Sequence, residues 1–214
     1  SDTAKVLARY IDIIVYRTSS AKKLYELAEH STVPVINGLN DETHPCQIIA
    51  DIMTFEENVG IINNKIITWC GDFNNVCKSW IQASTIFNFK MHLACPKQLI
   101  NEYEMNKIGK IKNVKIFNVS KDACKNADCI STDTWFSMGQ KVSEKKRRLL
   151  KPFQVNNKLL SSAKKNSIFM HCLPAHRGEE IDENILEHPK SVVWQEAENR
   201  LHTQKAILNW CLKK

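Results

Sequence analysis

Strand-length apolar runs recur along this chain, and most are followed by a stretch whose apolar residues repeat at helical spacing. A run such as Ile66-Ile67-Thr68-Trp69-Cys70 lacks the polar alternation of a half-exposed strand, so both of its faces call for burial. Runs of that kind alternating with helices define a parallel sheet covered on both faces. The fold class expected is α/β, a doubly wound, Rossmann-like parallel sheet. Strands are expected at residues 11–16, 33–37, 66–70, 91–95, 114–118, 128–131, 167–171 and 191–194. Helices are expected at 2–10, 20–30, 45–59, 75–87, 143–150, 155–165 and 198–212, with short ones at 122–126 and 182–186.

Helix 45–59 carries the apolar stripe Ile48, Ile49, Ile52, Met53 and Phe55, and it stops at Gly60. A turn-rich Asn63-Asn64-Lys65 then precedes a new strand. Residues 1–56, with two strands, read as the tail of one domain plus an interdomain helix. Residues 57–214 read as a whole doubly wound domain whose last helix returns to the first.

Composition narrows the function classes. With 214 residues and 43% hydrophobic content, the chain can bury a sizeable core. The net charge of +7 is not gathered into a stripe with interleaved aromatics. Its densest run, Lys145-Lys146-Arg147-Arg148, sits beside Leu149 and Leu150 and reads as a solvated helix face. No nucleic-acid partner is expected, while a basic chain suits a small anionic substrate. No apolar run approaches the roughly 20 residues that span a bilayer, so no membrane partner is expected. Eight cysteines occur without a Cys-x-x-Cys pair or zinc-site spacing, which argues against a metal and for a reducing cytoplasm. The chain begins at Ser1, which leaves room for a start upstream.

Ligands of open parallel sheets bind outside the carboxyl ends of the strands. Unusual polar groups gather there six times: Arg17-Thr18; Asn37-Gly38 with His44-Pro45-Cys46-Gln47; Gly71 to Asn75; Asp133 to Gly139; His171-Cys172-Leu173-Pro174; and Glu196 to Arg200. Each alone has a bland alternative. Arg17 suits a surface ion pair, His44 a helix start, Asp133 a turn, Cys172 buried filler, and Arg200 a pair with Glu196 or Glu198. "GDFNN" lacks the further glycines of a dinucleotide-binding turn.

The strings "NGLNDETHPCQIIAD", "GDFNNV", "DTWFSMGQ", "FMHCLPAHRGEE" and "EAENRLHTQKAI", in this order, resemble the ornithine branch of the aspartate/ornithine carbamoyltransferase family along essentially the whole chain. "HPCQ" is similar to the superfamily generally, while "SMG" and "HCLP" point to the ornithine branch. The resemblance implies transfer of a carbamoyl group from carbamoyl phosphate to L-ornithine, without a cofactor. It implies carbamoyl-phosphate contacts from Arg17, His44, Gln47, Cys172, Leu173 and Arg200. It implies ornithine contacts from Asn75, Asp133, Ser137 and Met138, with Cys172 and Asp133 catalytic. It also implies a homotrimer or a multiple of trimers. The alternatives are a carbamoyltransferase for another amine, such as putrescine or an acylated ornithine, and a remnant that binds without turnover.

Two departures from the family pattern carry expectations. The Ser-x-Arg-Thr phosphate-binding string is absent from these residues, so the carbamoyl-phosphate pocket is expected to lack a wall and turnover of this chain to be weak. The last helix is expected to leave Ile207, Leu208 and Trp210 partly exposed. Phe73 stands where the family has Gly, and it is expected to disturb the placement of Asn75.

Overall fold

The computed structural model describes residues 1–136 and 141–213. The first lobe contains α1 (Asp2–Leu7), β1 (Ile14–Arg17), α2 (Ala21–His30) and β2 (Val35–Leu39), and α3 (Pro45–Val59) leads out of it. β1 and β2 pair in parallel. The second lobe runs β3 (Ile66–Cys70), α4 (Asn75–Ile86), β4 (Lys90–Ala94), α5 (Glu102–Gly109), β5 (Val114–Phe117), α6 (Ser120–Cys124) and β6 (Cys129–Thr132). It continues through α7 (Glu144–Leu150), α8 (Asn157–Leu160) and β7 (Ile168–His171) to α9 (Val193–Leu212).

The larger sheet has strand order β5-β4-β3-β6-β7, all parallel. The chain builds outward from β3 through β4 to β5, then returns to the other side of β3 with β6. That reversal opens a crevice beyond the carboxyl ends of β3 and β6, where a sheet of this type takes ligands. The central strands are sealed: Ile67, Trp69, Cys70, Met91, Leu93, Cys129 and Ile130 are fully buried. One apolar cluster, with Trp69, Trp80 and Phe89, fills one face, and a second, with Phe153, Val155 and Phe169, fills the other. The helix starts have identifiable causes. Asn74 accepts from the Cys77 N–H at 3.0 Å to cap α4, and Ser20 accepts from Lys23 to cap α2. Pro45 opens α3, where a missing N–H costs nothing.

Three expectations need correction. Residues 191–194 form no strand. Phe169 and Ser191 make a lone bridge, and α9 already begins at Val193. The expected helix at 155–165 shrinks to α8, because Val155 is drawn into a bridge with Ile181. Helix α5 was not anticipated. Only Ile108 of it is buried, so its apolar stripe is faint, although Asn101 caps it by accepting from Glu104. All eight cysteines are free. Among the described residues no helix is long and apolar enough to cross a membrane.

α9 runs back along α3. Asn199 Nδ2 donates to Thr54 Oγ1 at 2.9 Å and to Glu57 Oε2 at 2.7 Å. Gln195 Nε2 donates to Glu57 at 2.8 Å and its oxygen accepts from Asn58 at 3.0 Å. Past this seam the outer side of α9 is open, with Ile207 and Leu208 part-buried and Trp210 77% exposed, as expected.

Candidate active site

Two sets of groups meet at the crevice. The first comes from the sheet. Leaving β3, Gly71 turns the chain with φ +135°, and a Cβ there would stand 3.1 Å from Thr132 Oγ1. Asn74 follows, and while its oxygen caps α4 its Nδ2 donates to Asp133 Oδ2 at 2.7 Å. Asp133 leaves β6, so one side chain ties the two lips of the crevice together. Cys172 leaves β7, and its thiol lies within 4.8 Å of the Asp133 carboxylate and the His171 ring. The intervening His171 is fully buried, with ring nitrogens 2.7 Å from the Cys172 carbonyl and 3.2 Å from Glu180 Oε1.

Burial decides the protonation of this set. Dense surroundings push the Asp133 carboxyl up, although the residue keeps some open surface. Burial, and then the charge of Asp133, push the Cys172 thiol well above its ordinary value. Cys172 is therefore a protonated donor near neutral pH, and the carboxylate is the group able to accept a proton. The resemblance implies that both are catalytic without dividing the roles between them.

The second set comes from α3 and α9. His44 caps α3 and is 8% exposed, and its N–H donates to Ser79 Oγ on α4 at 2.7 Å. Burial, with the charges of Arg200 and Arg17, lowers its pKa to about 4, so it is a neutral imidazole. Its Nδ1 is buried with no hydrogen-bond partner among the described residues. Gln47, one turn on, accepts from Arg200 Nη1 through its Oε1. The Nε of Arg200 is likewise buried and without a partner among the described residues. Buried polar atoms left open cost stability, and those that line a crevice are suited to receive a ligand. Arg17 ends β1, exposed to solvent.

Not every expected residue joins these sets. Leu173 follows Cys172 at the rim, 38% exposed, before a cis peptide to Pro174. Asn75 is turned toward the first lobe, where its Nδ2 donates to the Asn40 carbonyl at 2.8 Å. The Phe73 ring leans into the apolar cluster, with Lys78 Nζ 5.4 Å from its centre. Ser137 and Met138 lie outside the described residues.

Sequence reasoning missed several groups. Asn74 was read only as part of a string. Lys146, read as solvated surface, donates to Asp72 at 2.7 Å just after Gly71. Asp51 and Glu196 are buried at the α3–α9 seam. The available signal was helical spacing: Gln47 and Asp51, like Glu196 and Arg200, are four residues apart on one helix. Among the described residues, two groupings bring His, Cys or acid atoms within 4.8 Å of one another: Asp133, His171 and Cys172, and His176, Glu179 and Glu180. In the second, Glu179 is paired with Arg147 at 2.8 Å, and Glu180 Oε1 lies 3.2 Å from the His171 ring.

Comparison with known proteins agrees with this geometry. Residues 1–57 match the carbamoyl-P binding domain model of aspartate/ornithine carbamoyltransferases, and residues 63–211 match the Asp/Orn binding domain model. The chain belongs to the aspartate/ornithine carbamoyltransferase family. An ornithine carbamoyltransferase of Rhodopseudomonas palustris is 51% identical over 214 residues, 99% of this chain and 69% of that protein. The crystal structure of ornithine carbamoyltransferase from Burkholderia thailandensis superposes with a TM-score of 0.90 at 41% identity, covering 99% of this chain and 69% of that one. The enzyme from Pyrococcus furiosus gives 0.89 at 43% identity, covering 97% and 68%.

Proposed function

We propose that this carbamoyltransferase-family chain joins the carbamoyl group of carbamoyl phosphate to the side-chain amine of L-ornithine, giving L-citrulline and phosphate. The observation that carries this reading is the Asp133–Cys172 pair, a carboxyl beside a protonated thiol, together with Arg200, Gln47 and His44 gathered from α3 and α9. An amine attacks a carbonyl carbon only when neutral. Asp133 takes a proton from the ornithine ammonium, the nitrogen bonds to the carbamoyl carbon, and negative charge gathers on the carbonyl oxygen. The carbon–oxygen bond to phosphate then breaks, phosphate leaves with the electron pair, and the nitrogen passes its second proton to the departing phosphate. Arg200, Arg17, His44 and Gln47 lie on the carbamoyl-phosphate side, where donors and cations stabilise the developing and departing charge. Asn75, Ser137 and Met138 are assigned to the amino-acid end of ornithine by the family pattern, and Leu173 to the carbamoyl rim.

The same reading divides the chain at residues 56 and 57 into a carbamoyl-phosphate part and an ornithine domain. It also takes the protein to work as a trimer, or a multiple of trimers, in the cytoplasm. The test is citrulline formation by the full-length protein, with putrescine, N-acetylornithine and aspartate offered in parallel. Ornithine is expected to be carbamoylated with the highest kcat/KM. A higher value for putrescine or acetylornithine, or no product from any amine, would overturn the reading.

A further inference from the structure

Two carboxyl groups face each other in the α3–α9 seam, Asp51 and Glu196, each 1% exposed. They flank one nitrogen: Gln47 Nε2 lies 2.7 Å from Asp51 Oδ1 and 3.4 Å from Glu196 Oε1. Two carboxylates sealed from water on the same nitrogen repel each other, so the pair favours keeping one proton. Neither residue has a part in the chemistry proposed above, yet their outward bonds reach both sets of site groups. Glu196 Oε2 accepts from the His171 N–H at 2.8 Å, one residue before Cys172. Gln47, with its NH2 held by the carboxyls, has only its oxygen left to turn outward, and Arg200 binds that oxygen. A flipped amide would set an oxygen against the carboxyls and an NH2 against a guanidinium, leaving both sides unpaired.

We propose that Asp51 and Glu196 form a proton-sharing positioning pair, which fixes the Gln47 amide and through it presents Arg200 to the carbamoyl-phosphate side of the crevice. The proposal rests on the carbamoyl-transfer reading for its kinetic consequence, but not for the shared proton. The charged and titratable groups around the pair are Arg200 on α9, Cys129 on β6, His171 and Cys172 at β7, and Asp133 beyond β6. Burial outweighs Arg200, raising Asp51 to about 7 and Glu196 well above its ordinary value. The pair therefore holds a proton at neutral pH and sheds charge balance only on the alkaline side, where the grip on Gln47 and Arg200 loosens.

The test compares Asp51→Asn, which keeps a polar partner for Gln47, with Asp51→Ala, which removes it, and adds the double variant Asp51→Asn/Glu196→Gln. The Ala variant is expected to raise KM for carbamoyl phosphate by about tenfold or more, with KM for ornithine within about twofold. The Asn variant is expected to restore KM to within about threefold of wild type and to flatten its rise at alkaline pH. Infrared difference spectra of the free protein are expected to show a protonated-carboxyl stretch that the double variant lacks. Equal increases in both KM values, or an Asn variant no better than Ala at equal thermal stability, would reject the positioning role. Spectra of wild type and double variant without a difference in that band would reject the shared proton. A wild-type protein that shows the band but forms no citrulline would remove the transfer reading and the positioning role with it, while the proton-sharing pair would stand.

Discussion

The core beneath β3 and the seam between α3 and α9 are both closed to water, but different forces close them. Under β3, Trp69, Trp80, Phe89 and Met91 are fully buried and held by dispersion and the loss of hydrated apolar surface. Trp80 and Phe89 meet in a T-shaped pair with ring centres 5.7 Å apart, and the Trp80 ring N–H has no hydrogen-bond partner among the described residues. In the seam, Gln47, Asp51, Thr54, Glu196 and Asn199 are buried just as deeply, and each is bound to a named partner. Apolar packing tolerates small shifts at modest cost. A polar seam has few registers in which every donor finds its acceptor. The seam therefore fixes where α9 sits on α3, and with it the distance from Gln47 and Arg200 to the sheet.

Four measurements break or sharpen this contrast. Trp80→Ala should be the most damaging, lowering unfolding free energy by about 3–5 kcal/mol in denaturant titrations. A loss below that of a seam substitution would place the stability elsewhere. His44, at the edge of the seam, should give the molecule an acid limb. Its pKa near 4 in the fold lies below the ordinary 6.5, so the folded protein binds the proton later than the unfolded chain. Its contribution is complete above about 6.5 and is lost as pH falls from there toward 4, by at most about 3 kcal/mol. Asp51 slopes the opposite way over part of that window, being protonated more readily in the fold. The quantity to measure is thus the stability difference between wild type and His44→Gln across pH, expected to narrow as pH falls.

Cys172 belongs to both regimes, since it packs on the apolar cluster while its thiol lies within 4.8 Å of the Asp133 carboxylate. Cys172→Ser should lower citrulline turnover about a hundredfold, the usual scale of acid–base assistance. Its stability should change by less than about 1.5 kcal/mol. Full activity in that variant would return the thiol to packing alone. The smallest effect is expected at Asn199→Leu, which removes one donor each from Thr54 and Glu57 and should cost about 1–2 kcal/mol. It should also raise KM for carbamoyl phosphate more than KM for ornithine, as a shift of α9 would. A leucine that stabilises the protein with both constants intact would mean the polar seam has no bearing on register.

The same contrast explains what could be read from the sequence. Strands β3, β4, β6 and β7 announce themselves because a two-sided buried strand is a continuous apolar run. The segment 191–194 looks alike on paper, but a run of four cannot distinguish a strand from the buried start of a helix. There Val193 faces the core while Trp194 faces solvent. The site strings were legible as strings, and the structure brings His44, Gln47 and Arg200 to one edge and Asp133 and Cys172 to the other. The Asp51–Glu196 pair was not legible. It joins residues far apart in the chain, and nothing local at Asp51 distinguishes a sealed carboxyl from one on a solvated helix face.

Gly71 limits how this crevice can vary among descendants of the sequence. A side chain there would need a disfavoured backbone and would crowd Thr132, whose hydroxyl donates to the Cys70 carbonyl at 2.5 Å. The position is strained for any residue with a side chain, while two residues on, Phe73 packs against the apolar cluster and Asn74 still caps α4. Mutational drift in the β3–α4 turn is therefore channelled to position 73. A library randomised over 71–75 and selected for folding should come back uniform at 71 and varied at 73, so that the loop's outer wall is free to diverge while the tie from Asn74 to Asp133 is inherited unchanged.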